Sequence, residues 1–268
     1  MIREHIFRID EGGEPWFRWR GGEVSRIEAL ADMVFAFGLT LLVVSLEVPA
    51  SFDELFRMME DFAAFGLCFA LMLFIWHSHY KFFRRYGLED TYTVLLNAIL
   101  LFVVLFYLYP LKFLFTFLVG ELLGLGGPAV PQQPDWSDMS RLMIIYDTGF
   151  LAVFLCFTLL YAHAYRRRAA LGLDELERHT TVTALQGNAI MCTVALASMA
   201  IIALRLPQSP LWAGLVYWVI APALGVHGYW RGRGHGRLVA ARLALAAAGA
   251  GAPAAAGGAL DTPDQRGR

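Results

Sequence analysis

The sequence predicts an all-α integral membrane protein with six transmembrane helices. Of its 268 residues, 57% are hydrophobic and only 17% are charged. Its mean hydropathy of +0.52 is well above that of a soluble domain. The apolar residues form blocks that are each long enough to cross a hydrocarbon core of about 30 Å as a helix. The six blocks cover residues 27–47, 60–80, 94–119, 142–165, 181–204 and 211–230.

The distribution of basic residues between the blocks predicts the orientation. Residues 1–26 contain five arginines, and further basic residues follow the second, fourth and sixth blocks. The connections on the opposite side contain only Arg57, Arg141 and Arg205. Because cytoplasmic loops carry the excess of lysine and arginine, we expect both termini in the cytoplasm. This orientation requires an even number of spans, and we expect a multi-pass protein of the inner (plasma) membrane.

Composition divides the chain into three parts. Residues 1–24 form a charged and aromatic cytoplasmic N-terminal segment, without the apolar run of about 7–15 residues that marks a signal peptide. Residues 25–231 contain all six spans and form the transmembrane domain. Residues 232–268 are rich in alanine and glycine, so we expect a mostly disordered cytoplasmic tail.

The first span carries an unusual combination of residues. Asp32 lies inside it, and acids within a membrane are rare unless they face a protein interior or a water path. At 100° per residue, one face of the helix collects Phe37, Thr40, Leu41 and Val44, while Asp32 points about 140° away from Phe37. Such a stripe packs against another helix or lines a pore, and the span alone leaves both possibilities open.

Other polar residues in the spans suggest structural partners rather than a metal site. His79, near the end of the second span, and Asn97, early in the third, lie at a depth where either can bond Asp32. Lys112 and Asp147 lie at similar depth near the opposite end, so we expect them to form an ion pair or Lys112 to extend outward. His77 and His79 are only two residues apart and cannot chelate one ion from a helix. No metal is therefore expected.

Several classes of protein fit the sequence poorly. An enzyme within the membrane needs paired acids or a metal cluster deep in the bundle, and the spans contain neither. The net charge of −1 gives no reason to expect a nucleic-acid partner. A secondary transporter needs polar substrate ligands at the bilayer midplane, which the first span barely offers. A non-conducting structural or interaction protein remains a possible alternative, with the transporter less favoured.

Three ordered motifs resemble the prokaryotic transmembrane-protein-175 family, the relatives of the lysosomal potassium channel. Arg26 and Asp32 stand at the arginine and aspartate of its R-x-x-x-F-S-D signature, although Leu30 and Ala31 replace the phenylalanine and serine. Trp76 and His79 match its W-x-x-H motif at the end of the second span. The stretch LLNAILLFVVLFYLYP, residues 95–110, is similar to its third span, which contains Asn97.

The resemblance implies a potassium-selective, or weakly selective, cation channel. Family members are homotetramers of six-helix subunits embedded in membrane lipid. The first helices of the four subunits together surround a central ion path. They need no cofactor apart from the permeant potassium ion, and they lack the T-V-G-Y-G filter, which is absent here too. Their constriction is a ring of bulky apolar side chains five residues after the motif aspartate. That position is Phe37, and Thr40, Leu41 and Val44 follow it on the same face. Trp76, His79 and Asn97 are then expected to form a polar network supporting Asp32.

Overall fold

The computed structural model describes residues 16–45, 49–60, 62–123, 135–206 and 208–250. Within these ranges the chain is helical and contains no β-strand. The helices are α1 (Arg26–Val44), α2 (Phe52–Glu60), α3 (Phe62–Tyr86), α4 (Thr91–Leu123), α5 (Trp136–Arg166), α6 (Glu175–Ala203), α7 (Ser209–Val216) and α8 (Ile220–Ala250). A 3₁₀ turn, Tyr217–Val219, joins α7 to α8.

The prediction of six membrane spans is confirmed. Among the described residues, six helical stretches are long and apolar enough to cross a bilayer, and the sixth, Ser209–Leu245, combines α7, the 3₁₀ turn and most of α8. Several helices extend beyond the expected blocks: α3 continues to Tyr86, α5 begins at Trp136, α6 begins at Glu175 and α8 continues to Ala250. Helix α8 includes residues 232–250 of the expected tail, while residues 251–268 lie outside the described ranges. The short amphipathic helix α2 was not predicted separately.

The helices pack around a continuous apolar core. The contact between α5 and α6 is the most extensive, while α1 packs against α3 and α4, and α8 packs against α6. The core draws its buried side chains mainly from α1, α3, α4 and α5. Gly149 allows α5 to approach α4 closely, because a Cβ at this position would overlap the ring of Tyr107. Close approach through small residues is a common means of helix association in membranes.

Residues 16–24, here called the docked segment, fold against the end of α3. The Phe17 ring is 5% exposed and meets the Tyr86 ring edge-on, with centroids 5.6 Å apart. The backbone N–H of Arg20 donates to the carbonyl of Arg84 at 3.1 Å. Gly87, directly after α3, has a φ of +57°, and a Cβ there would lie 3.2 Å from the Arg20 carbonyl carbon and oxygen. The left-handed turn and this close approach both favour glycine.

Glu177, in the first turn of α6, joins the docked segment to the rest of the bundle. Its carboxylate accepts hydrogen bonds from Arg20 Nη1 at 3.0 Å and Nη2 at 2.6 Å, and from the backbone N–H groups of Arg18 at 2.9 Å and Asp174 at 3.0 Å. Asp174 in turn accepts from the Glu177 N–H, which completes a capping box. The side chains of Arg20 and Glu177 are only 11% and 3% exposed. This ion pair is therefore almost completely removed from water.

Candidate functional site

Helix α1 has one packed face and one open face. Ala31, Phe35, Gly38 and Leu42, spaced three or four residues apart, are buried in the chain's own core. A Cβ on Gly38 would lie 3.1 Å from Met72 Cε of α3, so α1 approaches that helix closely here. This packing fixes which side of α1 is turned outward.

The open face of α1 contains most of the stripe identified in the sequence. Phe37 is 57% exposed and Val44 is 70% exposed within the single chain, and Thr40 lies between them on the same exposed side. Leu41 differs, because it is half-buried and packs against the core. None of the helices in the described ranges thus covers the side of α1 that carries Phe37. Arg26, Leu30 and Met33 extend this open face toward the start of the helix.

The Thr40 hydroxyl is oriented by its own helix. Its Oγ1 donates to the Ala36 carbonyl at 2.9 Å. Since a hydroxyl has one hydrogen to donate and two lone pairs, the oxygen keeps its acceptor capacity. Thr40 can therefore offer an oxygen ligand to a cation beside the open face.

Asp32 is held by Trp76 of α3. The indole Nε1–H donates to Asp32 Oδ1 at 2.7 Å, and this bond crosses from α1 to α3. Asp32 remains exposed in the single chain. The sequence predicts that Trp76, His79 and Asn97 together support Asp32, and of these three it is the tryptophan of the W-x-x-H motif that contacts the carboxylate. Tryptophan has a single N–H, and in a largely apolar setting this group usually finds a polar partner.

His79 and Asn97 form a separate buried pair. His79 Nε2 and Asn97 Oδ1 lie 2.8 Å apart, and the two residues are 1% and 2% exposed. With the amide oxygen as acceptor, Nε2 is the donor. The bond joins α3 to α4, and the His79 ring lies 4.5 Å from the Phe83 ring, centroid to centroid. The single network expected around Asp32 is thus two neighbouring pairs.

The prediction of an ion pair between Lys112 and Asp147 is wrong. Lys112 Nζ donates to the Ser45 carbonyl at 2.9 Å and to Ser45 Oγ at 2.8 Å. Asp147, fully buried, accepts from Ser198 Oγ at 2.8 Å and from Tyr217 OH at 2.6 Å. Lys112 therefore places its charge at the C-terminal end of α1, where the helix dipole favours a cation. Similar depth in the membrane was not sufficient to predict the partner.

Asp90, between α3 and α4, forms a polar contact that links these helices to α5. Its Oδ2 lies 2.8 Å from His163 Nε2 and 3.4 Å from Arg167 Nη1. Partial burial alone would raise the pKa of Asp90, but the hydrogen bonds from His163 and the Thr93 N–H, together with the Arg167 charge, hold this pKa below its ordinary value. Within the described residues, no three His, Cys, Asp or Glu side chains are grouped so as to hold a metal ion.

Comparison with known families identifies the same region. A family model described as "Endosomal/lysosomal potassium channel TMEM175" matches residues 26–107. The match runs from the start of α1 into α4, and so includes the open face of α1 and both polar pairs. A potassium channel of Marivirga tractuosa is 39% identical over 232 residues, which cover 83% of this chain and 94% of the relative. A potassium channel of Chamaesiphon minutus is 29% identical over 150 residues, covering 53% of this chain and 66% of the relative.

Solved structures give a consistent result. A variant of the potassium channel MtTMEM175, crystallised with a nanobody–MBP fusion protein, superposes with a TM-score of 0.75 and 36% identity, over 83% of this chain and 100% of that one. A lysosomal potassium-selective channel TMEM175 homolog from Chamaesiphon minutus gives a TM-score of 0.51 at 24% identity, covering 75% of this chain and 95% of that one, and supports the fold alone. From its similarity to the Marivirga relative over nearly that protein's whole length, the chain belongs to the endosomal/lysosomal potassium channel TMEM175 family.

Proposed function

We propose that this chain is a potassium channel, and not an enzyme, in which four copies of α1 enclose the ion path. The Marivirga relative and the matching MtTMEM175 structure are both named as potassium channels. In this proposal the protein is a homotetramer of the inner membrane, with both termini in the cytoplasm. The excess of arginine at the terminal side of the bundle supports this orientation.

The observation that carries the proposal is the exposure of polar and charged groups along α1. Asp32 and Thr40 are exposed on a membrane-spanning helix of the single chain, together with Phe37. In a solitary chain these polar groups would meet hydrocarbon, which is costly for an acid. Association of several copies around α1 removes them from lipid, and a water path at the centre solvates the polar groups.

Phe37 is the proposed constriction of this path. Four aromatic rings at one level make an apolar barrier that excludes water and ions until the helices tilt or rotate. Thr40 follows within one turn, and four hydroxyl oxygens there partly replace the hydration shell of an ion leaving the constriction. Val44 continues the lining, and the half-buried Leu41 lies at its edge. Selectivity then depends on the width and hydroxyl lining of the path, because the sequence has no T-V-G-Y-G filter.

The residues of the signature motif hold α1 in position around its own axis. The bond between Asp32 and Trp76 limits rotation of α1 relative to α3, and rotation would change the direction of Phe37. Ala31 is 0% exposed and allows close packing beside this bond, whereas Leu30 lies on the open face near Arg26. The pair of His79 and Asn97 fixes α3 against α4. At the other end of α1, Lys112 holds Ser45.

Ion flux through liposomes tests the assignment of the constriction. Wild-type protein, Phe37→Ala and the control Phe102→Ala are reconstituted with a potassium gradient, and flux is compared with that under a sodium gradient. Phe102 is 68% exposed on α4, so the control removes the same exposed ring from another spanning helix. We expect Phe37→Ala to increase flux, about tenfold for each 1.4 kcal/mol of barrier removed. Phe102→Ala is expected to conduct like wild type.

The outcomes separate the competing functions. Unchanged flux in Phe37→Ala removes Phe37 from the constriction. Absence of flux in wild type and in both variants favours a non-conducting structural protein, because even an apolar barrier is removed by the alanine. Single-channel currents distinguish a channel from a slow transporter. A symmetry-resolved image of the purified particle tests the fourfold arrangement of α1 independently of conduction.

A further inference from the structure

A second site lies away from α1, at the end of the bundle where the docked segment packs. A cavity of about 350 Å³ opens between the end of α3, the first turns of α6 and the middle of α8. This volume is within the range of small-ligand sites. Its chemistry is set by four nitrogen-bearing side chains, which are Arg85, His179, Arg231 and His235.

The lining of this cavity is basic and contains no carboxylate among the described residues. Arg231 of α8 is held in place by α6, because its Nε donates to Thr183 Oγ1 at 2.9 Å and its Nη2 donates to the His179 carbonyl at 2.7 Å. A guanidinium has five N–H donors, and these contacts use two of them. A fixed guanidinium with donors remaining is well suited to bind oxygen atoms of an anion.

The other basic side chains are also arranged by packing. Arg85 is 8% exposed, and its guanidinium carbon lies 4.9 Å from the centre of the Phe17 ring of the docked segment. The rings of His179 and His235 lie 6.1 Å apart, centroid to centroid. The wall formed by α8 is open, since a Cβ added to Gly228 or Gly232 would meet no atom within 4 Å. Bulky side chains are thus absent where a ligand would enter.

We propose that this cavity binds a phosphate group, carried by the headgroup of an anionic phospholipid or present as free phosphate. Planar guanidinium groups match the oxygens of a phosphate better than a point charge does. Basic pockets between spanning helices at the arginine-rich side of a membrane are suited to anionic headgroups. The site is separate from the proposed ion path, so it is tested by binding rather than by conduction.

Isothermal titration calorimetry on the full-length protein in uncharged detergent micelles provides the test. One arm titrates inorganic phosphate, and the other titrates micelles containing phosphatidylglycerol against micelles containing phosphatidylcholine. The variant Gly232→Asp adds a negative charge at the cavity wall without displacing an atom near the new Cβ. Gly236→Asp is the control, because it adds the same charge one turn further along α8, also in open space and outside the lining.

We expect phosphate-group binding in wild type, weakened at least about tenfold by Gly232→Asp and little changed by Gly236→Asp. Arg231→Gln and Arg233→Gln form a second pair of test and control variants, because only Arg231 lines the cavity. Binding of inorganic phosphate alone identifies a soluble ligand, and a response to phosphatidylglycerol but not phosphatidylcholine identifies a lipid headgroup. No binding in either arm overturns the proposal. Equal loss in the two aspartate variants also overturns it, since that result reflects general surface charge.

Discussion

Glu177→Gln is expected to loosen the docked segment from the helical bundle. The substitution keeps the shape of the side chain but removes the charge that faces Arg20. It also replaces one acceptor oxygen by an NH₂ group, which then points toward N–H donors. The wild-type carboxylate accepts four hydrogen bonds, two of them from the Arg20 guanidinium. The amide oxygen can keep at most two.

The size of the effect follows from the burial of this pair. The two side chains are 11% and 3% exposed, so water does not replace the lost contacts. Breaking a buried ion pair by removing one partner costs about 3–5 kcal/mol. Arg20 retains its hydrogen bonds to the carbonyls of Leu171 and Gly172, which places our expectation near the lower limit, about 3 kcal/mol. For a chain of this size, that loss lowers the thermal midpoint by roughly 6–12 °C.

Thermal unfolding of the purified protein in micelles, followed by tryptophan fluorescence, measures this change. Arg242→Gln is the matched control, because it breaks the pair with Asp174 in the same capping box. That pair is 57% and 44% exposed, so it contributes at most about 1 kcal/mol. If Glu177→Gln lowers the midpoint no more than Arg242→Gln does, the proposed contribution of the buried pair is refuted.

Two further predictions concern polar contacts of the helical domain. Trp76→Phe removes the N–H group that donates to Asp32. We expect the free energy of unfolding to fall by at least about 1 kcal/mol and the ion flux to change. Unchanged flux and unchanged unfolding would show that this bond does not orient α1. Asp90→Asn should destabilise the protein at neutral pH, because the folded state lowers the pKa of Asp90. That stabilisation is complete above the ordinary carboxyl pKa of about 4 and is lost as the pH falls through the lower folded value. The difference in thermal midpoint between wild type and Asp90→Asn should therefore decrease at acid pH, and a pH-independent difference would contradict this explanation.

The number and position of the spans could be predicted because a bilayer leaves few choices. Backbone N–H and C=O groups must be paired within the hydrocarbon, so long apolar blocks become helices. The errors occur where burial comes from distant parts of the chain. Residues 81–86 are basic and aromatic, yet they continue α3, because the docked segment covers Tyr86 and bonds the backbone of Arg84.

The exposed side of α1 was predicted better than the contacts between helices. The helical period placed Phe37, Thr40, Leu41 and Val44 on one face of α1, and the structure exposes the first, second and fourth of these but leaves Leu41 half-buried against the core. The hydrogen-bond partners of polar side chains on neighbouring helices were predicted less well, because depth in the membrane was the only available guide. Depth alone does not say which way a neighbouring helix turns its side chains. Lys112 and Asp147 share a depth but face different helices.

The sequence by itself determined the class of this protein, its six spans and the two faces of its first helix. These features depend on hydropathy and on the angle between successive residues of one helix, and both are local properties. Tertiary structure decided that Trp76 holds Asp32, that Glu177 secures the docked segment, and that Arg85 and Arg231 line one cavity. Each of these contacts joins residues far apart in the chain, and their formation depends on how whole helices rotate and pack against one another.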